Sequence, residues 1–550
     1  MIKNKLLLIF SFIFIGITLG KAQATFSQIT ALFQANCTIG CHNASDNSGN
    51  MNLTGTDTEI YNRLVNVSPT NPAAQAAGYM RIKPGHPDQS YLVRKCNNEL
   101  YQSATLPDES FGTPMPNYPQ PALANEQIEL IRQWVYEGAP LTGSPVNVSL
   151  INTYYQEGGI NSIPEPPPLP TEQGSFQLHI GKIFLTPQTE KEYFIKYDLG
   201  LTENIYVNRI ELIMADQSHH FILYKFIQGQ DDLFEDGLRL QNPSTGEGSS
   251  GNSSTLVNAW QISYDTELPE GTAYLWEAGD ILDMNYHFRN YDLDSILAIE
   301  AYINIYTDQS PEPPEIMYSD LITNLNIFIP NDNNPRVFTK ADFDLSADNF
   351  INIWQLTSHT HKYGTDFDIF KRNEDGSEGE KIYEGWYNTN YTFNQGYYDF
   401  SHPPIRQFEP LIEVNPRWGL IQQATYRNNG PNPVFFGLTT NDEMMVYYLQ
   451  YTLGGLIDNP AAISDNENST GINIYPNPSS NYFNIELEYQ GTENLNLEIH
   501  DLSGKLIRSE SLNMLNGQQV IHFPHQLKAG FYIIDLFNES YSFRKKIAIN

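Results

Sequence analysis

Apolar and polar residues alternate with a period of two along many short stretches of this chain. Residues 351–354 and 366–370 do so on either side of Ser358-His359-Thr360-His361-Lys362-Tyr363-Gly364, and 209–214 and 283–288 repeat the pattern. Such runs predict half-buried β-strands. Near the end of the chain, 483–487, 495–499, 520–523 and 532–536 read as four more, with turns at Ser503-Gly504 and Ala529-Gly530. One stretch has the other period. In residues 125–135 Ile128, Ile131, Trp134 and Val135 recur at helical spacing and predict an amphipathic helix. At the start, Lys3 and Lys5 precede an apolar run from Leu6 to Leu19 and the small-residue pattern Ala22-Gln23-Ala24. Residues 1–24 therefore read as a secretory signal, because a membrane anchor needs about 20 apolar residues.

Composition narrows the class. A length of 550 residues predicts three or four domains. The net charge of −33 argues against nucleic acid and anionic membranes as partners, since both reward clustered Lys and Arg. The 34 prolines, with many Tyr, Asn and Gly, favour strands and long loops over helical bundles. No stretch after the signal is long and apolar enough to predict a membrane span. There is no G-x-S-x-G, P-loop or H-E-x-x-H motif. The acidic run 231–236 lacks spaced ligands and reads as a solvated loop.

Candidate chemistry lies in the histidines. On an extended strand His359 and His361 point to one face and can grip one ion. His219 and His220 are neighbours, so both reach one ion only at a bulge or strand end, and His287 stands in a separate strand. Imidazoles with a thioether suit copper in both redox states. The order His-His, Tyr286-His287-Phe288, His-Thr-His, then Asp442-Glu443-Met444 resembles the copper type II ascorbate-dependent monooxygenases, the family of dopamine β-hydroxylase and the peptide-amidating hydroxylase. The resemblance covers roughly residues 172–456.

The resemblance implies two antiparallel β-sandwiches, 172–312 and 313–456, facing each other across an open cleft with one copper each. His219, His220 and His287 would form the electron-transfer site. His359, His361 and Met444 would form the catalytic site where O₂ meets an unidentified substrate, with Tyr448 on the substrate side. Met445 is also a thioether, but the Asp-Glu-Met register selects Met444. Two departures stand out. This region has no cysteine, where the animal enzymes carry disulfides, so the sandwiches rest on core burial. The peptide-amidating branch has an arginine two residues before His-Thr-His, and Thr357 stands there instead. Peptide amidation is thus not expected.

Three cysteines remain. Cys37-Thr38-Ile39-Gly40-Cys41-His42 is one residue longer than the haem-attachment motif C-x-x-C-H. On a helical turn Cys37 and Cys41 share a face and could both bond one porphyrin, with His42 as the iron ligand. A Cys37–Cys41 disulfide is the alternative, and Cys96 reads as a buried apolar residue. The progression through Thr113-Pro114-Met115-Pro116 to the 125–135 helix resembles single-haem cytochrome c domains. It implies a small α-helical haem domain over 25–141 with Met115, or else Met80, as the distal ligand.

Residues 142–171 read as a linker, stiff at Pro164–Pro170, and 457–471 as a polar one. Tyr475-Pro476-Asn477-Pro478, Asp501–Lys505 and Lys545-Lys546-Ile547 resemble the C-terminal sorting domain of the Bacteroidetes type IX secretion system. That implies a β-sandwich over 472–550, the secretion machinery as partner, and delivery to the cell surface or outside. His86, His179, His402, His500, His522 and His525 lie outside any ligand spacing. The expected whole is a multidomain, mainly β, secreted copper monooxygenase with one covalent haem c and two coppers. Its reductant would be ascorbate, a redox partner or the fused haem. A surface electron-transfer or copper-binding protein without hydroxylase activity is the alternative.

Overall fold

The computed structural model describes residues 24–456, apart from 243, 343–348 and 387–397, and most of 473–549. The expected signal segment before residue 24 and the expected linker 457–471 lie outside the described residues. The chain divides into two compact units, Met1–Gly454 and Gly455–Asn550. It is mainly β, and among the described residues its α-helices lie within 25–157. No described helix is long and apolar enough to cross a membrane.

In the first unit, helices Thr25–Asn36, Asp57–Leu64 and Asn125–Tyr136 enclose a core of Phe26, Phe33, Ile60, Leu64 and Trp134. The stripe Ile128, Ile131, Trp134 and Val135 is buried there as its spacing predicts. Asp57–Leu64 starts with a capping box between Thr56 and Glu59, which satisfies two otherwise unpaired backbone donors. The stretch after 142 differs from a plain linker. Val148–Glu157 is a helix that buries Ile151 and Tyr154, and Ile160–Asn161 pairs in parallel with Leu297-Ala298. Apolar residues at i, i+3 and i+4 make that helix before the prolines, which carry neither helix nor strand.

Two pairs of sheets follow. In the first pair, Leu297–Thr307 lies between Phe176–Leu185 and Ile205–Met214. Facing it, Ile281–Arg289 lies between Glu190–Asp198 and Ser218–Phe226, and Ser218–Phe226 also pairs with Ser254–Trp260. In the second pair, Val446–Leu456 lies between Tyr318–Thr323 and Asn349–His359. Leu420–Tyr426 lies between Arg336–Asp342 and Gly364–Arg372.

These two sandwiches do not face each other across an open cleft. Trp354 of the second joins the core of the first. The Tyr448 hydroxyl donates to Asn258 Oδ1 at 2.6 Å, and the Ser319 hydroxyl donates to the Val257 carbonyl at 2.7 Å. The cause is visible in Asn349–His359, whose last half is buried without alternation because both its faces are covered.

The helical region is tied to the first sandwich by buried charge. Arg132 is fully buried; its Nη1 lies 3.2 Å from Asp88 Oδ1 and its Nη2 donates to the Gly181 carbonyl. His179 stands 3.7 Å from Asp88 and 3.0 Å from Glu300. Breaking one partner of such a set costs about 3–5 kcal/mol, which fixes the two parts firmly together. Gly237, at φ +105°, belongs to the same contact: a Cβ there would lie 2.6 Å from the Gly138 nitrogen.

The second unit packs the sheet Asn473–Tyr475, Tyr482–Tyr489 and Gly517–Pro524 with the sheet Leu506–Leu512, Leu495–Asp501, Gly530–Phe537 and Ser542–Ile549. Phe483, Ile485, Leu497, Ile499, Ile534 and Leu536 form its core. All four strands predicted there are present.

Candidate functional site

The neighbouring pair His219-His220 is brought to one side by a bulge. Pairing between Ser218–Phe226 and Ile281–Arg289 slips after His287: His287 lies opposite His220, Phe288 lies opposite Ser218, and His219 is the extra residue. Ring nitrogens of His219, His220 and His287 come within 4.8 Å of one another. The outer nitrogens of His220 and His287 are engaged. His220 Nε2 lies 3.1 Å from Asn285 Oδ1 and 3.3 Å from Glu192 Oε1, and His287 Nε2 lies 2.9 Å from Glu190 Oε1. His219 Nδ1 lies 3.2 Å from His220 Nδ1.

Buried His287 Nδ1 has no hydrogen-bond partner among the described residues, as a nitrogen reserved for a metal would not. The bond from His287 holds the Glu190 carboxyl down to about 2, against its burial. Burial, followed by the neighbouring imidazoles, pushes His219 far below the usual histidine range and keeps it neutral, the form that ligates. The residues thus fit a metal.

The strand carrying His359 ends there, so His361 lies just beyond it rather than on the same extended face. The two rings still converge, 5.1 Å between centroids and nearly perpendicular. Glu443 arranges this turn. Its buried carboxylate accepts the backbone N–H of His361 at 2.9 Å, of Tyr363 at 2.6 Å and of Met444 at 3.3 Å. Burial pushes Glu443 up to about 7 against these three bonds. His361 Nδ1 donates to the Asp442 carbonyl at 3.0 Å, which turns Nε2 away from the loop.

The two sets stand side by side. The His219 ring is 5.5 Å from both His359 and His361, and His220 is 6.3 Å from His359. Beside them lies a cavity of about 110 Å³, lined by His220, His359, Met444 and Tyr448 among apolar side chains such as Ile222, Trp260, Leu321 and Ile405. His361 does not line it. Met445 is fully buried in the core of the second sandwich, where the Asn324 amide meets its sulfur, so Met444 is the thioether at the cavity.

Sequence reasoning passed over His402, which also lines this cavity and pairs with Asp399. It also passed over Glu190 and Glu192. Their spacing of two in one strand puts both on the face toward the histidines, which was the available signal.

A second cavity, of about 350 Å³, lies in the helical region. Cys37, Cys41, His42, Met115, Met51 and Cys96 line it, with Phe33, Leu53 and Leu92 as apolar walls. The first helix ends at Asn36, so Cys37 to Cys41 is a turn rather than a helical face, yet both thiols reach the cavity. His42 Nδ1 lies 3.0 Å from the Ser48 carbonyl and 3.1 Å from that of Met51, leaving Nε2 unengaged by them. Met80 is not in this wall; its sulfur accepts from Ser68. Burial, then Cys41, pushes the Cys37 thiol up to about 11. Arg81 is the buried cation of the wall, its guanidinium on the carbonyls of Arg63, Gly49 and Asn50. The volume, the paired thiols and the oriented histidine fit a covalently held porphyrin.

Comparison with known proteins bears on the second unit. Residues 473–550 match the family described as Secretion system C-terminal sorting domain. This type IX tail is handled by the secretion machinery and directs the protein to the cell surface or outside. No curated protein matches the chain. Among solved structures, β-glucuronidase from Ruminococcus gnavus is 8% identical over 44% of this chain and 46% of that one, with a TM-score of 0.12. That of Faecalibacterium prausnitzii is 9% identical over 44% and 47%, at 0.14. The chain spans less than half the length of these structures. At such TM-scores the likeness carries neither fold nor function to it.

Proposed function

We propose that this is a secreted copper-dependent monooxygenase that hydroxylates a C–H bond with O₂. The observation that carries the reading is the cavity that opens on both histidine sets at once, through His220, His359 and Met444. An electron carrier or a copper store needs no such space. Five imidazoles with one thioether favour copper over harder ions. His219, His220 and His287 would hold one ion, and His359, His361 and Met444 the other. Copper, when bound, supplies one-electron redox chemistry and O₂ activation.

The chain's own residues do the rest. Glu190, Glu192 and Asn285 fix the ring orientations of the first set, and Glu443 fixes the loop of the second. Ile222, Trp260, Leu321 and Val446 exclude water and would seat the substrate. Among the described residues that line it there is no Lys, Arg, Asp or Glu, which favours an uncharged group. Tyr448, its hydroxyl taken up by Asn258, presents its ring there.

In the helical region Cys37 and Cys41 would hold a haem c covalently, with His42 and Met115 offering ligands to its iron. That group supplies single electrons when bound. The electrons for hydroxylation would be drawn from that group, from ascorbate or from a redox partner.

Copper-loaded protein is expected to consume O₂ with ascorbate, to stop on chelation, and to recover with copper but not zinc. Uptake that survives complete copper removal would refute the proposal.

A further inference from the structure

We propose that the cavity beside the histidines takes a small neutral molecule carrying one hydroxyl or carbonyl oxygen, which bonds to Thr357 Oγ1. This rests on the copper reading above and deepens it by naming the class of substrate.

Thr357 and His359 are two residues apart in Asn349–His359, so their side chains share a face about 7 Å apart along the strand. Both line the cavity. Ser358 between them turns the other way. Its hydroxyl meets that of Tyr383, which donates to the Pro404 carbonyl. Thr357 is 8% exposed, and its Oγ1 has no hydrogen-bond partner among the described residues. A buried hydroxyl left unpaired is unfavourable, and a ligand oxygen that bonds to it removes that cost.

Apart from the histidines of the two sets, the other side-chain donors of the wall have partners. Trp260 Nε1 donates to Thr266 Oγ1 at 2.9 Å, the Tyr448 hydroxyl to Asn258, and Gln261 Nε2 to the Ser358 carbonyl at 3.1 Å. His402 Nδ1 lies 3.2 Å from Asp399 Oδ2. The wall therefore offers one free hydroxyl. No Lys, Arg, Asp or Glu among the described lining residues stands ready to pair with a formal charge. A space of about 110 Å³ suits a body near the size of one six-membered ring. Anchored at Thr357, such a body reaches along the strand to the His359 side.

The test is calorimetric titration of full-length protein, metal-free and copper-loaded, with benzyl alcohol, ethylbenzene and benzylammonium. These probes match in size and differ in polarity and charge. Thr357→Val keeps the branched shape and removes the hydroxyl. It is expected to weaken benzyl alcohol about 3- to 10-fold, the worth of one net hydrogen bond, and to leave ethylbenzene as tight or tighter. Retained ethylbenzene binding also shows that the variant is folded. Benzylammonium is expected to bind more weakly than benzyl alcohol in either form of the protein.

Equal weakening of alcohol and hydrocarbon, or an unchanged alcohol affinity, would overturn the role of Thr357. Benzylammonium binding as tightly as the alcohol would overturn the neutral class, and no binding of any probe would overturn both. Protein that takes no copper yet shows Thr357-dependent binding would sink the function proposed above and leave this recognition standing.

Discussion

Protein made in a host that matures c-type haem is expected to keep haem through acid–acetone extraction, and the Cys37→Ser/Cys41→Ser variant is expected not to. Thioether bonds survive denaturation, whereas an iron–histidine bond alone does not, so the contrast is between full retention and full loss. Both thiols line one cavity although they sit on a five-residue turn. That geometry removes the objection to the extra residue in the motif, since a turn can absorb it where a helical face would rotate the second thiol away. His42→Ala is expected to keep the haem attached while shifting its absorption bands, because the ring aims Nε2 away from its two carbonyl partners. Complete extraction of haem from unaltered protein would show that the cysteines do another job.

On the proposed function, Met444→Ala is expected to lower O₂ consumption by at least the roughly 10- to 100-fold typical of losing even an outer partner of a metal ligand, while copper stays bound to the histidines. Only its thioether, not that of Met445, shares a wall with His220 and His359. The neighbouring Met445→Ala is the control. That side chain is fully buried in an apolar core, so its loss costs about 2–5 kcal/mol of stability. Its effect is read in the melting temperature, and any protein that remains folded keeps its turnover. Equal turnover loss in both variants, or none in Met444→Ala, would break the assignment.

Much of this architecture is readable along the chain because it depends on local period. The alternation at 351–354 becomes Asn349–His359, and the apolar stripe of 125–135 becomes the buried face of Asn125–Tyr136. The tail strands follow the same rule. The adjacency of His219 and His220 was a conditional statement, and the slip after His287 supplies the condition.

What sequence could not reveal depends on long-range packing. Trp354 and Tyr448 look like residues of an ordinary half-exposed sheet, and only the opposing sandwich makes them buried. That closure turns two distant histidine sets into neighbours. Glu443 was legible as part of a motif, but its three backbone bonds exist only once the His361 turn has formed.

On the proposed function, the helical region would carry haem, the sandwiches would carry copper, and the two would work as a single redox protein. The buried set around Arg132, Asp88 and His179 holds the helical region to the first sandwich, so any electron path between them has a fixed length. The direct measurement reduces the haem anaerobically and removes excess reductant. Haem absorption is then followed together with the Cu(II) resonance signal. The account predicts that haem reoxidises as Cu(II) disappears, one electron for one. Copper that stays oxidised beside reduced haem for minutes would contradict it.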